Sequence, residues 1–224
     1  MELVYVVRRP ELFERECPQG FLSLPPDSLE RDFLRSVADR GFFVERRHAE
    51  QDASLKQIIP YCIVTDGTRV LCLQRQTAQG EARLHRKLSI GIGGHLNPPD
   101  AERGAAETLA SGALREICEE LEVDAASPVP VGVLNDDSNP VGSVHFGVVH
   151  VVRLPLDVRV RETDHMIGRW SDWPGLRSEL AHGANFESWS SLILRSWAPE
   201  EFLRVAALPD LVHSGGYARA SSSR

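Results

Sequence analysis

Apolar residues cluster with strand-like spacing in the middle of the chain and with helical spacing towards both ends. Ile58-Ile59-Pro60-Tyr61-Cys62-Ile63-Val64 is an apolar run of strand length. Asp66-Gly67 reads as a hairpin turn, and Arg69-Val70-Leu71-Cys72-Leu73-Gln74-Arg75 as the strand returning from it. The same pattern predicts strands over residues 4–7, 88–95, 129–134, 144–154 and 166–170. Helical spacing predicts helices over residues 28–40, 104–122, 173–181 and 186–197. Ser28 is the expected cap of the first of these and Gly41 its stop.

Strands interleaved with helices indicate a layered α/β domain, an α/β/α sandwich on a mixed sheet. Residues 1–55 read as an N-terminal extension and 56–200 as the main domain. Residues 201–224 read as a C-terminal tail, Gly/Ser-rich from Ser214 onward.

Composition narrows the function classes. A length of 224 residues with 42% hydrophobic content supports one sizeable core. A net charge of −7 disfavours a nucleic-acid polymer or an anionic membrane as partner. It leaves room for a small anionic substrate, because a bound cation reverses the local sign of a site. No apolar run reaches membrane-spanning length, and the chain start lacks a basic segment before an apolar core. Cys17, Cys62, Cys72 and Cys118 form no CxxC pair, and three of them lie in apolar periodic segments. Reduced thiols and a cytoplasmic location are the expectation.

The segment richest in chemistry is Arg115-Glu116-Ile117-Cys118-Glu119-Glu120-Leu121. With Arg115 as zero on a helix, Glu116, Glu119 and Glu120 fall at about 100°, 40° and 140°, on one face. Ala106, Ala110, Ala113, Leu114, Ile117 and Leu121 form an apolar stripe between about 160° and 260°. At about 5.5 Å and an effective dielectric of about 20, each pair of these carboxylates repels by about 3 kcal/mol. A divalent cation would remove that penalty, and Mg²⁺ takes carboxylate, water and phosphate oxygens together. A solvated helix face is the alternative reading of the same charges.

The surroundings favour a site. Glu107 precedes Arg115 by eight positions, and Gly93-Gly94-His95 ends a predicted strand upstream. The combination resembles the Nudix box of the MutT-like hydrolases: a glycine, a spaced glutamate, then seven residues to Arg-Glu-apolar-x-Glu-Glu. Val123 fills the closing apolar position, and the resemblance covers about residues 57–172. Two features depart from it. The family has five residues between glycine and glutamate, whereas twelve separate Gly94 from Glu107, with the insert inside residues 97–104. The glycine expected after the paired glutamates is Glu122, which leaves the helix end open.

The resemblance implies a hydrolase of phosphorus-containing acid anhydrides, a phosphoesterase that uses Mg²⁺ or Mn²⁺. It implies a small nucleotide-like substrate, a nucleoside diphosphate linked to another moiety, and leaves a homodimer open. Carried over residue by residue, Glu116, Glu119 and Glu120 are the metal ligands, with the Gly94 carbonyl as an additional one. Glu107 would hold a metal-bound water or assist a ligand, and Arg115 would orient a box glutamate. A helix-surface ion pair is the alternative for Arg115. The water-activating base is expected outside the box, and Glu162 is preferred over Asp164 and His165 in the same polar loop.

Other residues carry weaker signals. Residues 135–140 read as a turn cluster that could line a pocket. His145 and His150 read as core or edge histidines in a strand, and Trp170, Trp173, Trp189 and Trp197 as core aromatics. Arg75, Arg83, His85, Arg86 and Lys87 flank the loop before the box and read by default as solvated. Two rivals share the fold: a binding protein without hydrolysis, and an isomerase of the isopentenyl-diphosphate type, which needs a reactive cysteine.

Overall fold

The computed structural model describes residues 1–13, 17–75, 87–124, 126–161 and 166–208. The N-terminal part runs β1 (Leu3–Arg8), α1 (Arg9–Leu12), β2 (Gly20–Ser23) and α2 (Pro26–Leu29). α2 continues through a π turn (Glu30–Leu34) into α3 (Arg35–Arg40), then β3 (Phe42–Glu45) and α4 (Arg46–Ala49). The central part is β4 (Leu55–Thr65), β5 (Arg69–Arg75), β6 (Leu88–Ser89), β7 (Ile92–Gly93), a 3-10 turn (Pro98–Ala101) and α5 (Ala105–Glu120). It is followed by β8 (Val129–Asn135), α6 (Pro140–Ser143), β9 (His145–Arg153) and β10 (Met166–Asp172). Helices α7 (Trp173–Ala181), α8 (Ser188–Ser196) and α9 (Pro199–Ala206) follow.

The strands join in one sheet of order β10-β5-β4-β9-β8-β2, with β1, β6 and β7 attached through β4 and β5, and β3 through β1. β4 and β9 run parallel from Gln57↔His145 to Thr65↔Arg153, and the other pairings between named strands are antiparallel. The sheet is therefore mixed, as expected.

Both faces of β4 are apolar, which is why the run reads continuously rather than alternating. Tyr61 and Ile63 point to one face, where Trp173, Leu176, Ile193, Leu194, Trp197 and Phe202 of the C-terminal helices cover them. Cys62 and Val64 point to the other, where Ala113, Ile117 and Leu121 bring α5 down on the sheet. Phe33 and Val37 of the N-terminal helices pack on Ile58, Phe146 and Val148. The result is an α/β/α sandwich.

The structure departs from the sequence expectations in short elements. β2 and β3 are four-residue strands whose pairing with β8 and β1 no local pattern announces. The expected strand over 88–95 is two short pieces, β6 and β7, on different partners. The helix over 28–40 starts two residues before Ser28, after Pro25. Residues 201–206 are helical, and Phe202 and Ala206 are fully buried, so the core extends past residue 200. Phe202 stacks on Trp173 with ring centroids 4.1 Å apart. Residues 3–8 and 20–23 are sheet strands, so much of the N-terminal segment is built into the main sheet.

Candidate active site

α5 sets the site. Its buried stripe of Ala113, Ile117 and Leu121 fixes the rotation of the helix, and that rotation sends Glu116, Glu119 and Glu120 to one side. The carboxylates are not equivalent. The Glu116 side chain is 13% exposed and the Glu119 side chain 58%.

The loop after β7 crosses the helix where Glu116 emerges. A Cβ built on Gly94 would overlap the Glu116 carboxylate, so a larger residue there would displace that carboxylate from its seat against the loop. Burial pushes the Glu116 carboxyl above its ordinary range; Arg115 offsets part of that shift, while Glu119 and Glu120 add to it.

Arg115 organises this junction. Its Nη1 donates to Glu116 Oε1 at 2.8 Å and to both Glu119 oxygens at 3.2 and 3.1 Å. Its Nη2 donates to the His95 carbonyl at 2.8 Å. Nε and Nη2 also form a fork onto Asp100, at 2.9 and 3.0 Å. Hydrogen bonding to Asp100 is the largest influence holding the guanidinium above its already high ordinary value, and burial opposes it.

Asp100 escaped the sequence reading. It is 5% exposed and lies in the insert of residues 97–104. A signal was present: five residues separate Gly94 from Asp100, the spacing the family places between its glycine and its acid. Glu107, chosen instead for its distance to Arg115, lies elsewhere. It occupies the first turn of α5, about 12 Å of helix rise from Arg115. Its side chain makes no hydrogen bond or ion pair among the described residues. The insert lengthens the helix at its start and carries Glu107 away from the carboxylate face.

Helix α5 ends without the missing glycine. Leu121 caps it in an extended conformation, φ −120° and ψ 150°. The Arg161 guanidinium donates to the carbonyls of Cys118 and Leu121 at 2.6 and 2.9 Å, and its backbone N–H to that of Glu120 at 2.9 Å.

The remaining candidates divide. Glu162, Asp164 and His165 lie outside the described residues, as do Arg83, His85, Arg86 and the side chain of Arg75. Asp136 and Asn139 form turn and cap hydrogen bonds. His150 is buried, its Nδ1–H donates to the Val148 carbonyl at 2.9 Å, and burial lowers its pKa to about 4. His145 and His95 approach with Nε2 atoms 3.2 Å apart. Trp173 and Trp197 are fully buried core residues.

The donor set is all oxygen, the chemistry of a hard divalent cation. Among the described residues no three His, Cys, Asp or Glu side chains converge as ligands. Glu116 and Glu119 are turned onto Arg115 instead.

Comparison with known proteins fits this arrangement. No protein-family model matches the chain. Protein YmaB of Bacillus subtilis (strain 168) is 32% identical over 200 residues, covering 86% of this chain and 96% of that protein. The crystal structure of Tm1382, provisionally assigned as a Nudix hydrolase, superposes with a TM-score of 0.74 at 28% identity. It covers 91% of this chain and all of that one. With the acidic helix, the glycine loop and the mixed sheet placed as described, the chain belongs to the Nudix (MutT-like) family of hydrolases, which act on pyrophosphate bonds.

Proposed function

We propose that the protein hydrolyses a phosphoanhydride bond in a nucleoside diphosphate linked to another moiety, with Mg²⁺ or Mn²⁺ as cofactor. The observation that carries this reading is the seating of Glu116 against Gly94, with Glu119 one turn further along the same helix face. Glu116, Glu119, Glu120 and the Gly94 carbonyl would hold the metal. When bound, the cation supplies charge neutralisation for the diphosphate and a lower pKa for the attacking water.

The chain's own residues hold this face in place. Arg115 sets the directions of Glu116 and Glu119. Glu162 is our choice of base for the attacking water. In support, its neighbour Arg161 is fastened to the C-terminal end of α5, one turn or less from Glu119 and Glu120. Asp164 and His165 are the next candidates. Glu107 has no part in the scheme, because it lies two helical turns from Arg115.

The isomerase reading needs a reactive thiol. Burial pushes the Cys62 thiol well above its ordinary value and that of Cys72 up to about 11, so both stay protonated. The presence of Glu116, Glu119 and Glu120 argues against the reading that keeps the fold without hydrolysis.

The test is hydrolysis of nucleoside triphosphates, ADP-ribose, dinucleoside polyphosphates, nucleotide sugars and CoA, each with Mg²⁺ and Mn²⁺. The expected result is metal-dependent release of a phosphate-bearing product from at least one class. Ligand binding without turnover of any of them would favour the non-catalytic reading. Isomerised product from isopentenyl diphosphate would favour the third.

A further inference from the structure

Helix α5 has Glu122 where the family places a glycine after its paired glutamates. The last carbonyls of a helix have no partner within it. Here a segment remote in the chain meets them. The Nε–H of Arg161 is shared between the carbonyls of Cys118 and Leu121, at 2.6 and 2.9 Å, and its backbone N–H donates to that of Glu120 at 2.9 Å. In the other direction the Glu122 N–H donates to the Arg159 carbonyl at 2.8 Å. Leu121 and Val160, between these bonds, pair as an antiparallel bridge. Both are buried in one cluster with Leu71 and Leu73 of β5, so the stitch is anchored on the sheet.

We infer that Arg161 is a positioning residue that stands in for the missing glycine and holds the last turn of α5, from which Glu119 and Glu120 project. The inference rests on the reading of Glu116, Glu119 and Glu120 as metal ligands. A glycine ends a helix by taking a left-handed conformation that turns the following amides back onto the last carbonyls. Leu121 is extended instead, φ −120° and ψ 150°, so the chain leaves the helix directly and those carbonyls need donors from elsewhere. Arg161 supplies them. Its positive charge also suits this end, where Glu119, Glu120 and Glu122 oppose the helix dipole. Glu116 lies one turn earlier and is seated against Gly94, so its position does not depend on this cap. Without the cap the last turn would fray, Glu119 and Glu120 would be in place for only part of the time, and a metal would bind only that fraction.

The experiment uses the full chain and Mn²⁺ alone, with free Mn²⁺ measured by electron paramagnetic resonance and amide exchange at Leu121 followed by NMR. Arg161→Gln should weaken Mn²⁺ binding about fivefold, the effect of losing one net hydrogen bond, and speed exchange at Leu121 by a similar factor. Charge alone works the other way, because removing a cation beside carboxylates tightens the binding of a divalent ion. Arg161→Lys separates the two: it keeps the charge but carries a methylene where arginine has Nε, and it should bind Mn²⁺ as weakly as Arg161→Gln. Adding Glu122→Gly to Arg161→Gln restores the family's own helix end and should recover most of the affinity. Wild-type or tighter binding in Arg161→Gln would overturn the inference, as would wild-type binding in Arg161→Lys. A double variant no better than Arg161→Gln would overturn the claim that Arg161 replaces the glycine. A general structural role would speed exchange across β4 as well and leave the Mn²⁺ affinity of the folded protein unchanged, which would also overturn the inference. Glu120→Gln is the control for the underlying reading. If that variant binds Mn²⁺ normally, the metal face itself is wrong; if it loses binding while Arg161→Gln does not, only the role of Arg161 falls.

Discussion

Two charged clusters in this fold are built on opposite ratios. Around Asp137, one carboxylate is surrounded by donors. Arg9 pairs with both its oxygens, Lys56 donates to Oδ1 at 2.7 Å, Gln19 to Oδ2 at 2.7 Å and Asn135 to Oδ2 at 3.1 Å. Lys56 is fully buried, and its other protons reach the carbonyls of Gly142 and His145 at 3.1 and 3.3 Å. At α5 the ratio is reversed: Asp100, Glu116 and Glu119 share one guanidinium. In the first cluster the single carboxylate is met by two cations and two amides. Among the described residues, the second sets three carboxylates on one guanidinium where a loop backbone touches a helix. A completed ionic cluster anchors structure, whereas a surplus of one sign beside a close backbone approach points to a ligand of the other sign.

The sharpest way to break this comparison is to neutralise one member of each cluster. Glu119→Gln or Glu120→Gln should lower turnover of the best substrate by about two orders of magnitude or more, with the fold intact by circular dichroism. Near-wild-type rates in both would remove the acidic face from the chemistry.

Asp137→Asn should do the reverse. It leaves the buried Lys56 ammonium without its counter-charge and should cost about 3 kcal/mol of unfolding free energy in urea titrations, with little effect on kcat. Arg9 first of all, then Lys56 and the two amides, holds the Asp137 carboxyl well below its usual range, against the opposing effect of burial. Its stabilising contribution is therefore full above the ordinary carboxylate pKa of about 3.9 and is lost as the pH falls below it. The wild-type advantage over Asp137→Asn should shrink across that acid window, and an advantage that stayed constant down to pH 2 would contradict the assignment.

A smaller effect separates a third group from both clusters. Buried His150 has a folded-state pKa of about 4 against 6.5 for the free side chain. The unfolded chain binds the proton more readily. Stability from keeping it neutral is full above pH 6.5 and declines as the pH falls towards 4. His150→Leu should flatten this part of the stability curve and leave the steeper loss below pH 4 to the carboxylates. An unchanged slope between pH 6.5 and 4 would move the acid sensitivity to another group.

Most of the long elements could be read from the sequence, because β4, β5 and β9 are apolar-rich runs of strand length and α5 carries a helical period that burial enforces. The short strands β2 and β3 could not, since four residues hold no period and their partners are remote in the chain. The carboxylate face was legible from helix geometry alone. Its support was not. Asp100 is connected to Arg115 through a fold-back of the chain, and a spacing counted backwards from Arg115 led to Glu107 on the same helix. The seven extra residues went into the loop and the first turns of α5, so a count along the chain no longer measured distance in space. The base candidates rest on sequence position together with the anchoring of Arg161.

The central claim is that the surplus of carboxylate on α5 is relieved by a divalent cation. Thermal unfolding under Mg²⁺ and Mn²⁺ titration, with and without a non-hydrolysable diphosphate analogue, tests it most directly. The melting temperature of the wild-type protein should rise with metal concentration, that of Glu120→Gln should rise far less, and that of Asp137→Asn should rise as much as wild type from its lower starting point. A wild-type melting temperature unmoved by either metal up to about 10 mM, even with the analogue present, would contradict the account.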